Sequence, residues 1–320
     1  MQNAGEQHRR IELIDAVRGL ALVAMAVYHF TWDLEFFGYL EPFTSVTGGW
    51  KIFARCIASS FLFLVGVSLV LAHARSFRAG PFAKRLAAIV AAAAAITLVT
   101  WWLMPEQFIF FGILHHIAVA SVLGLLLLRL PAMLLAALAV LVVAAPHLIS
   151  WPFLDHPALW WTGLSQNVPA SNDYIPIFPW FGAVLSGMAA AKVARSTGLT
   201  ARMAAWRPAS RIPVLGWAGR HSLAFYLLHQ PVLISCVWII AQLYPPSVDT
   251  AGIEAGFMRM CTNQCAQSRE QALCASYCGC IVEEARASGR TQVLARGAED
   301  DEATQWVQDT ISFCAGNDSE

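Results

Sequence analysis

Arg18 and His29 stand eleven residues apart in the apolar segment Ile11–Trp32. At 100° per residue that spacing closes three turns with roughly 20° to spare, so both side chains point to one face of a helix, about 16 Å apart along its axis. A guanidinium and an imidazole inside a membrane helix are costly unless something polar occupies their face. Asp15 is three residues before Arg18 and neighbours it on the helix. The pair reads either as an ion pair that lets Arg18 enter the membrane edge, or as an Arg18 turned into a cytoplasm-facing cavity, where its planar fork suits a phosphate. His29, followed within a turn by Trp32 and Asp33, has the chemistry of a general base, oriented by Asp33 or another carboxylate.

Other segments carry further candidates. His115 and His116 open a later apolar segment, and His229 precedes Pro231 near the middle of the last one, with Ser222 two turns earlier on its face. Three segments thus carry His, as a polar chamber would require. Adjacent His115 and His116 point about 100° apart, so only one can face it. Gly66 and Ser68 read as small residues for close helix packing. Cys56 and Cys236 read as small apolar residues. No H-x3-H or H-E-x-x-H spacing, Walker loop, GxGxxG or GxSxG occurs, so no metal is expected.

Seven spans must position these groups: roughly 12–33, 52–73, 84–103, 109–129, 132–149, 175–194 and 215–243. The chain has 320 residues, a mean hydropathy of +0.54 and 13% charged residues, about half the usual share. Its formal charge of zero conceals two unlike parts. Residues 1–243 carry sixteen Lys/Arg and nine Asp/Glu, net +7; residues 244–320 carry five and twelve, net −7. The fold expected is an all-α polytopic bundle over 1–243, with a small disulfide-rich helical extension over 244–320. The first apolar run is too long for a signal h-region, and Thr31–Gly38 offers no small-x-small cleavage site, so it reads as a retained helix.

Positive charge clusters in alternate loops: Arg9 and Arg10; Arg75, Arg78, Lys84 and Arg85; Arg129; Lys192, Arg195, Arg202, Arg207 and Arg211. That pattern predicts a cytoplasmic N-terminus and a tail outside a bacterial-type inner (plasma) membrane. Trp101, Trp102, Trp151, Trp160, Trp161 and Trp180 fall near the predicted outer span ends, as an interfacial belt would. The aromatic, cation-free loop 150–174 reads as a lipid-interface segment or a cover for an outward-facing site. Six of the eight Cys lie in the tail, which suits an oxidising compartment. Cys261-x3-Cys265 and Cys274-x3-Cys278 on two antiparallel helices would bring Cys261 near Cys278 and Cys265 near Cys274, leaving Cys280 and Cys314. Six Cys allow fifteen pairings, and spacing does not choose among them. The acidic run Glu299–Glu302 reads as a solvated stretch.

At these residues a resemblance enters. Arg9–His29 (RRIELIDAVRGLALVAMAVYH) followed by Phe61–Leu69 (FLFLVGVSL) resembles the heparan-α-glucosaminide N-acetyltransferase-like family. Asp-x-x-Arg-Gly, with ten residues between Arg18 and His29, also resembles the bacterial type 3 membrane acyltransferases, and His221–Val232 (HSLAFYLLHQPV) is similar to their late helix. The likeness covers residues 9 to about 243 and omits the tail. It implies an acyl donor, typically acetyl-CoA, entering from the cytoplasm and an acceptor outside, often an envelope sugar amine or hydroxyl. Arg18 would then serve the donor and His29 the transfer. The lysosomal members use a His in the first luminal loop; residues 34–51 hold none here, which leaves His29 for that part.

The Arg18–His29 separation is comparable to an extended pantetheine arm. The expected donor set is Arg18, Asp15, Arg78, Lys84 and Arg85; the catalytic pair is His29 and Asp33; Trp32, His115 and His229 face the acceptor. The partners expected are the lipid bilayer, acyl-CoA, a glycan-like acceptor and a second copy of the chain, with no nucleic acid. The alternatives are a small-solute transporter using the same His and Arg as a relay, though no duplicated halves show, and a membrane anchor for the Cys-rich tail.

Overall fold

The computed structural model of the protein describes residues 11–73, 77–149, 151–167, 169–205, 213–246, 250–267, 269–298 and 300–316. Arg9, Arg10, Arg75, Arg207, Arg211 and Glu299, which entered the charge reading, lie outside the described residues. In chain order the helices are α1 (Glu12–Phe36), α2 (Gly48–Ala72), α3 (Ala79–Leu103), α4 (Ile113–Leu126), α5 (Ala132–Leu148), α6 (Ile177–Ser196), α7 (Leu199–Ala205), α8 (Pro213–Arg220), α9 (Ser222–Leu243), α10 (Thr250–Cys265), α11 (Gln271–Ala287), α12 (Thr291–Arg296) and α13 (Asp301–Gly316). Among the described residues α1, α2, α3, α6 and α9 are long and apolar enough to cross a membrane, while α4 and α5 are apolar but shorter. They account for the seven predicted spans.

Several boundaries differ from the predicted spans: α2 begins at Gly48 rather than 52 and α3 at Ala79 rather than 84, and two further differences have a visible cause. The fourth span begins at Ile113 rather than 109, because the strand-like stretch before it pairs elsewhere: Asn172 N donates to Gln107 O, Ser171 Oγ to Phe108 O and Ile175 N to Phe111 O. The last span is broken at His221, where α8 ends and α9 begins; hydropathy averaged over a window runs straight across a one-residue break.

Contacts divide the chain into two units, Met1–Ala24 with Arg55–Leu228, and Met25–Ala54 with His229–Glu320. In the first, α2 and α6 cross through a reciprocal glycine pair. A Cβ on Gly66 would lie 2.0 Å from Val184 O, and one on Gly187 would lie 2.1 Å from Phe63 O, so each helix lays its backbone against the other's. Leu62, Leu69, Leu135, Phe181, Leu185 and Met188 fill the core around that crossing. Gly182 of α6 meets Ala139 and Val143 of α5 in the same way.

Helix α4 is capped from a distance. The Ile113 amide donates to Asp173 Oδ2 at 2.8 Å, placing a carboxylate where a helix N-terminus favours negative charge. Desolvation nevertheless pushes the Asp173 carboxyl up to about 6, the Ile113 amide offsetting only part of that cost. In the adjoining loop the half-buried Asp155 is held below its ordinary range by the Gln166 amide and the Ser165 hydroxyl.

In the second unit the tail helices close around Ile281, Val282, Ala285 and Leu294, with Phe257 and Trp306 packed against them. So small a core needs staples, and three disulfides supply them. Cys261–Cys278 and Cys265–Cys274 join α10 to α11, and Cys280–Cys314 joins α11 to α13.

Gly66→Leu is expected to destabilise the protein by about 1–3 kcal/mol, the usual cost of overpacking. Gly80→Ala, where nothing lies within 4 Å, serves as the neutral control in thermal unfolding; equal melting temperatures would contradict the crossing. For Asp173, the folded protein retains between pH 3.8 and about 6 a proton that the unfolded chain releases. Stability therefore falls as pH rises through that window. Asp173→Asn keeps an acceptor for Ile113 and cannot charge. Its melting temperature should lack that fall, and parallel profiles in the two proteins would assign the slope to another group.

Candidate functional site

The residues singled out in the sequence gather into two polar clusters, each within one unit. In the first unit Arg18 projects from α1 among groups from three helices. Nη1 donates to Asp15 Oδ1 at 3.2 Å and reaches Gly219 O of α8 at 3.5 Å, and Nη2 donates to Ser68 Oγ of α2 at 2.8 Å. The approach is close because Gly19 and Gly219 carry no Cβ. One on Gly219 would lie 1.9 Å from Asp15 O, and one on Gly19 would lie 2.1 Å from Leu215 O. Arg18 and Asp15 are both largely shielded, at 19% and 10% side-chain exposure, so salt screens the pair less than a surface one.

Ser68 lies at the edge of the α2 stripe Val65, Leu69 and Ala72, which lines a cavity of about 280 Å³. Arg78 and Arg85 line the same cavity from the start of α3 and its flank, with His73, Phe82 and Ser121. The His73 ring stacks on Phe77 at 5.4 Å and meets Phe82 edge-on at 5.8 Å, while its Nδ1 donates to Leu69 O. The volume sits at the low edge of small-molecule sites, about 300–1,000 Å³, room for part of a coenzyme. Two guanidiniums at its rim make it suited to an anion. Lys84 is exposed and is not part of the lining.

The second cluster lies where α1 and α9 carry polar groups in the second unit. The His29 and His229 rings meet edge-on, centroids 4.9 Å apart. One turn along α1 the fully buried Asp33 accepts Gln230 Nε2 on Oδ1 at 2.7 Å. The carboxylate is thus held by an amide, while the imidazole faces a second imidazole. Asp33 Oδ2 and Gln230 Oε1 are buried with no hydrogen-bond partner in the protein. Two such acceptors side by side are costly and match a ligand that brings N–H or O–H donors. Trp32, on α1 between them, stacks on Phe36 at 5.3 Å.

His115 lies in the first unit, and both its nitrogens are engaged. The Gly112 amide donates to Nδ1 at 3.2 Å, so Nε2 carries the proton and gives it to Thr97 Oγ1, whose own hydrogen goes to Ile109 O. That relay ties α4 to α3. His116 is fully buried, with Nδ1 donating to Ile175 O. No three His, Cys, Asp or Glu side chains gather as a metal set among the described residues.

The sequence marks Ser68 only as a small packing residue and does not single out His73 or Gln230. Gln230 carried a signal, being an uncharged polar group beside His229 in an apolar helix. Ser68 carried none, because a hydroxyl in an apolar helix ordinarily satisfies itself on its own i−4 carbonyl.

Comparison with known families adds one finding. The family model for heparan-alpha-glucosaminide N-acetyltransferase, catalytic, matches residues 10–231. That stretch contains Arg18, the cavity-lining arginines, His29, Asp33, His229 and Gln230, and excludes the Cys-rich tail. No curated protein and no solved structure matches the chain. With more than two thirds of its length under that match, the chain belongs to the heparan-alpha-glucosaminide N-acetyltransferase catalytic family of membrane proteins.

Proposed function

We propose that the protein moves an acetyl group from cytoplasmic acetyl-CoA to an extracytoplasmic acceptor, an amine or hydroxyl of a sugar. The observation that carries this reading is the cluster of His29, Asp33, His229 and Gln230 in otherwise apolar helices, with two buried acceptor oxygens left for a ligand. A family of acetyltransferases needs a base and an acceptor seat, and this cluster has the groups for both.

In the proposed reaction His29 takes the proton from the acceptor amine or hydroxyl as it attacks the thioester carbonyl. The tetrahedral intermediate collapses, the C–S bond breaks, and the proton passes from His29 to the departing thiolate. His229 lies against the His29 ring and fixes its plane. Asp33, held by Gln230, and the Gln230 carbonyl receive the acceptor's other donors, with Trp32 bordering them. On the donor side Arg78 and Arg85 hold phosphates at the cavity rim, and exposed Lys84 adds charge nearby. Arg18, neutralised by Asp15 and fixed by Ser68, supports that side. His115 holds α4 in place. Arg18 and His29, one residue for each half of the reaction, both lie within α1 (Glu12–Phe36). The site for transfer is placed in a bacterial-type inner membrane with the N-terminus cytoplasmic, on the support of the loop charges.

The test is purified protein in detergent with acetyl-CoA and amino-sugar acceptors, followed by thiol release and product mass. His29→Ala is expected to lower kcat about 10²–10⁴-fold, the span of general-base help, with its melting temperature retained. Arg78→Ala should raise the KM for acetyl-CoA and leave acceptor KM in place. Wild-type turnover by His29→Ala would remove the proposed base.

A further inference from the structure

The Cys-rich tail lies outside the family match, yet in the second unit it is seated on the loop that follows α1. Glu35, two residues beyond Asp33, accepts the Phe43 amide on one carboxylate oxygen and the Ser45 amide on the other, the latter at 2.7 Å. Between them the chain makes a turn in which Phe43 has φ 67°, a left-handed conformation that a bulky residue adopts only when its surroundings impose it. The tail supplies part of those surroundings. Gly256 of α10 lies so close that a Cβ there would be 2.8 Å from Pro42 O. Arg259 Nη2 pairs with Glu41 Oε2 at 2.5 Å, and the Tyr39 hydroxyl donates to Tyr244 O at 2.5 Å. Helix α10 is itself pinned to α11 by two disulfides.

We propose that the disulfide-bonded tail is a clasp that holds loop 37–47 in this strained conformation, and that it thereby sets how the acceptor enters the Asp33 and His29 cluster. Glu35, Gly256 and Arg259 are its positioning residues. The Arg259–Glu41 pair is half-exposed at both ends and contributes little alone. The backbone approach at Gly256 and the two amides on Glu35 are the main ties. A connecting loop ordinarily belongs to the least protected part of a protein; this one is gripped from α1 on one side and from the tail on the other. The effect on the acceptor rests on the acetyl-transfer reading, whereas the clasp itself does not.

The experiment separates the two. Full-length protein and Gly256→Leu, both with disulfides intact, are compared by hydrogen exchange and by steady-state kinetics. The clasp predicts that amides of residues 37–47, Phe43 and Ser45 among them, exchange at least about tenfold faster in the variant while α4 and α6 keep wild-type protection. It also predicts a raised acceptor KM with an unchanged KM for acetyl-CoA. Unchanged exchange in the loop overturns the clasp. Faster exchange with an unmoved acceptor KM overturns its role in acceptor entry. Should Gly256→Leu loosen the whole chain, the smaller Gly256→Ala decides: its Cβ still meets Pro42 O, so loop exchange must rise in it, and no rise overturns the proposal. A wild type that transfers acetyl to no acceptor defeats the functional reading alone, because the exchange arm still decides the clasp.

Discussion

A cation inside an apolar helix must be met by protein, and Arg18 shows what that demands. Its guanidinium takes a carboxylate from its own helix, a hydroxyl from α2 and a carbonyl from α8. For the carbonyl to reach it, α8 must approach α1 to backbone contact, and glycine stands on both sides of that approach, at Gly19 and Gly219. The small residues are thus consequences of the charge. The Asp-x-x-Arg-Gly run is one device: neutralise, ionise and make room. Asp33 poses the same problem with the opposite sign, and Gln230 answers half of it.

The two polar clusters are unequally satisfied. Arg18 and His115 spend their hydrogen bonds inside the protein and hold helices together. Asp33 and Gln230 keep buried acceptors in hand, which evolution tolerates where a ligand completes the set. Apolar surroundings raise the value of each such contact. In the proposed reaction, a base and a carboxamide set among apolar helices would bind a polar acceptor that otherwise stays in water.

The fold was legible wherever a residue had to stand out from its neighbours. Arg18, His29 and Asp33 break an apolar run, and the helical period fixes their common face. The i, i+4 spacing of the tail cysteines points to two facing pairs without fixing the connectivity; the structure joins Cys261–Cys278, Cys265–Cys274 and Cys280–Cys314. Partners across helices were not legible. Ser68 lies 50 residues from Arg18 and Gln230 lies 197 from Asp33, and no local pattern encodes such a meeting. The capping of α4 by Asp173 was hidden for the same reason. Nor does composition announce that an acidic, cross-linked tail grips the loop after α1. That required the absence of a side chain at Gly256, seen against Pro42.

The central claim is that α1 serves a donor on one side of the membrane and an acceptor on the other. Oriented proteoliposomes test it most directly, with labelled acetyl-CoA supplied on the face that exposes Arg78 and an amino sugar sealed on the opposite face. The account predicts labelled N-acetyl product inside, formed only with that orientation and without passage of intact coenzyme. Product that forms only when donor and acceptor share one compartment would contradict it.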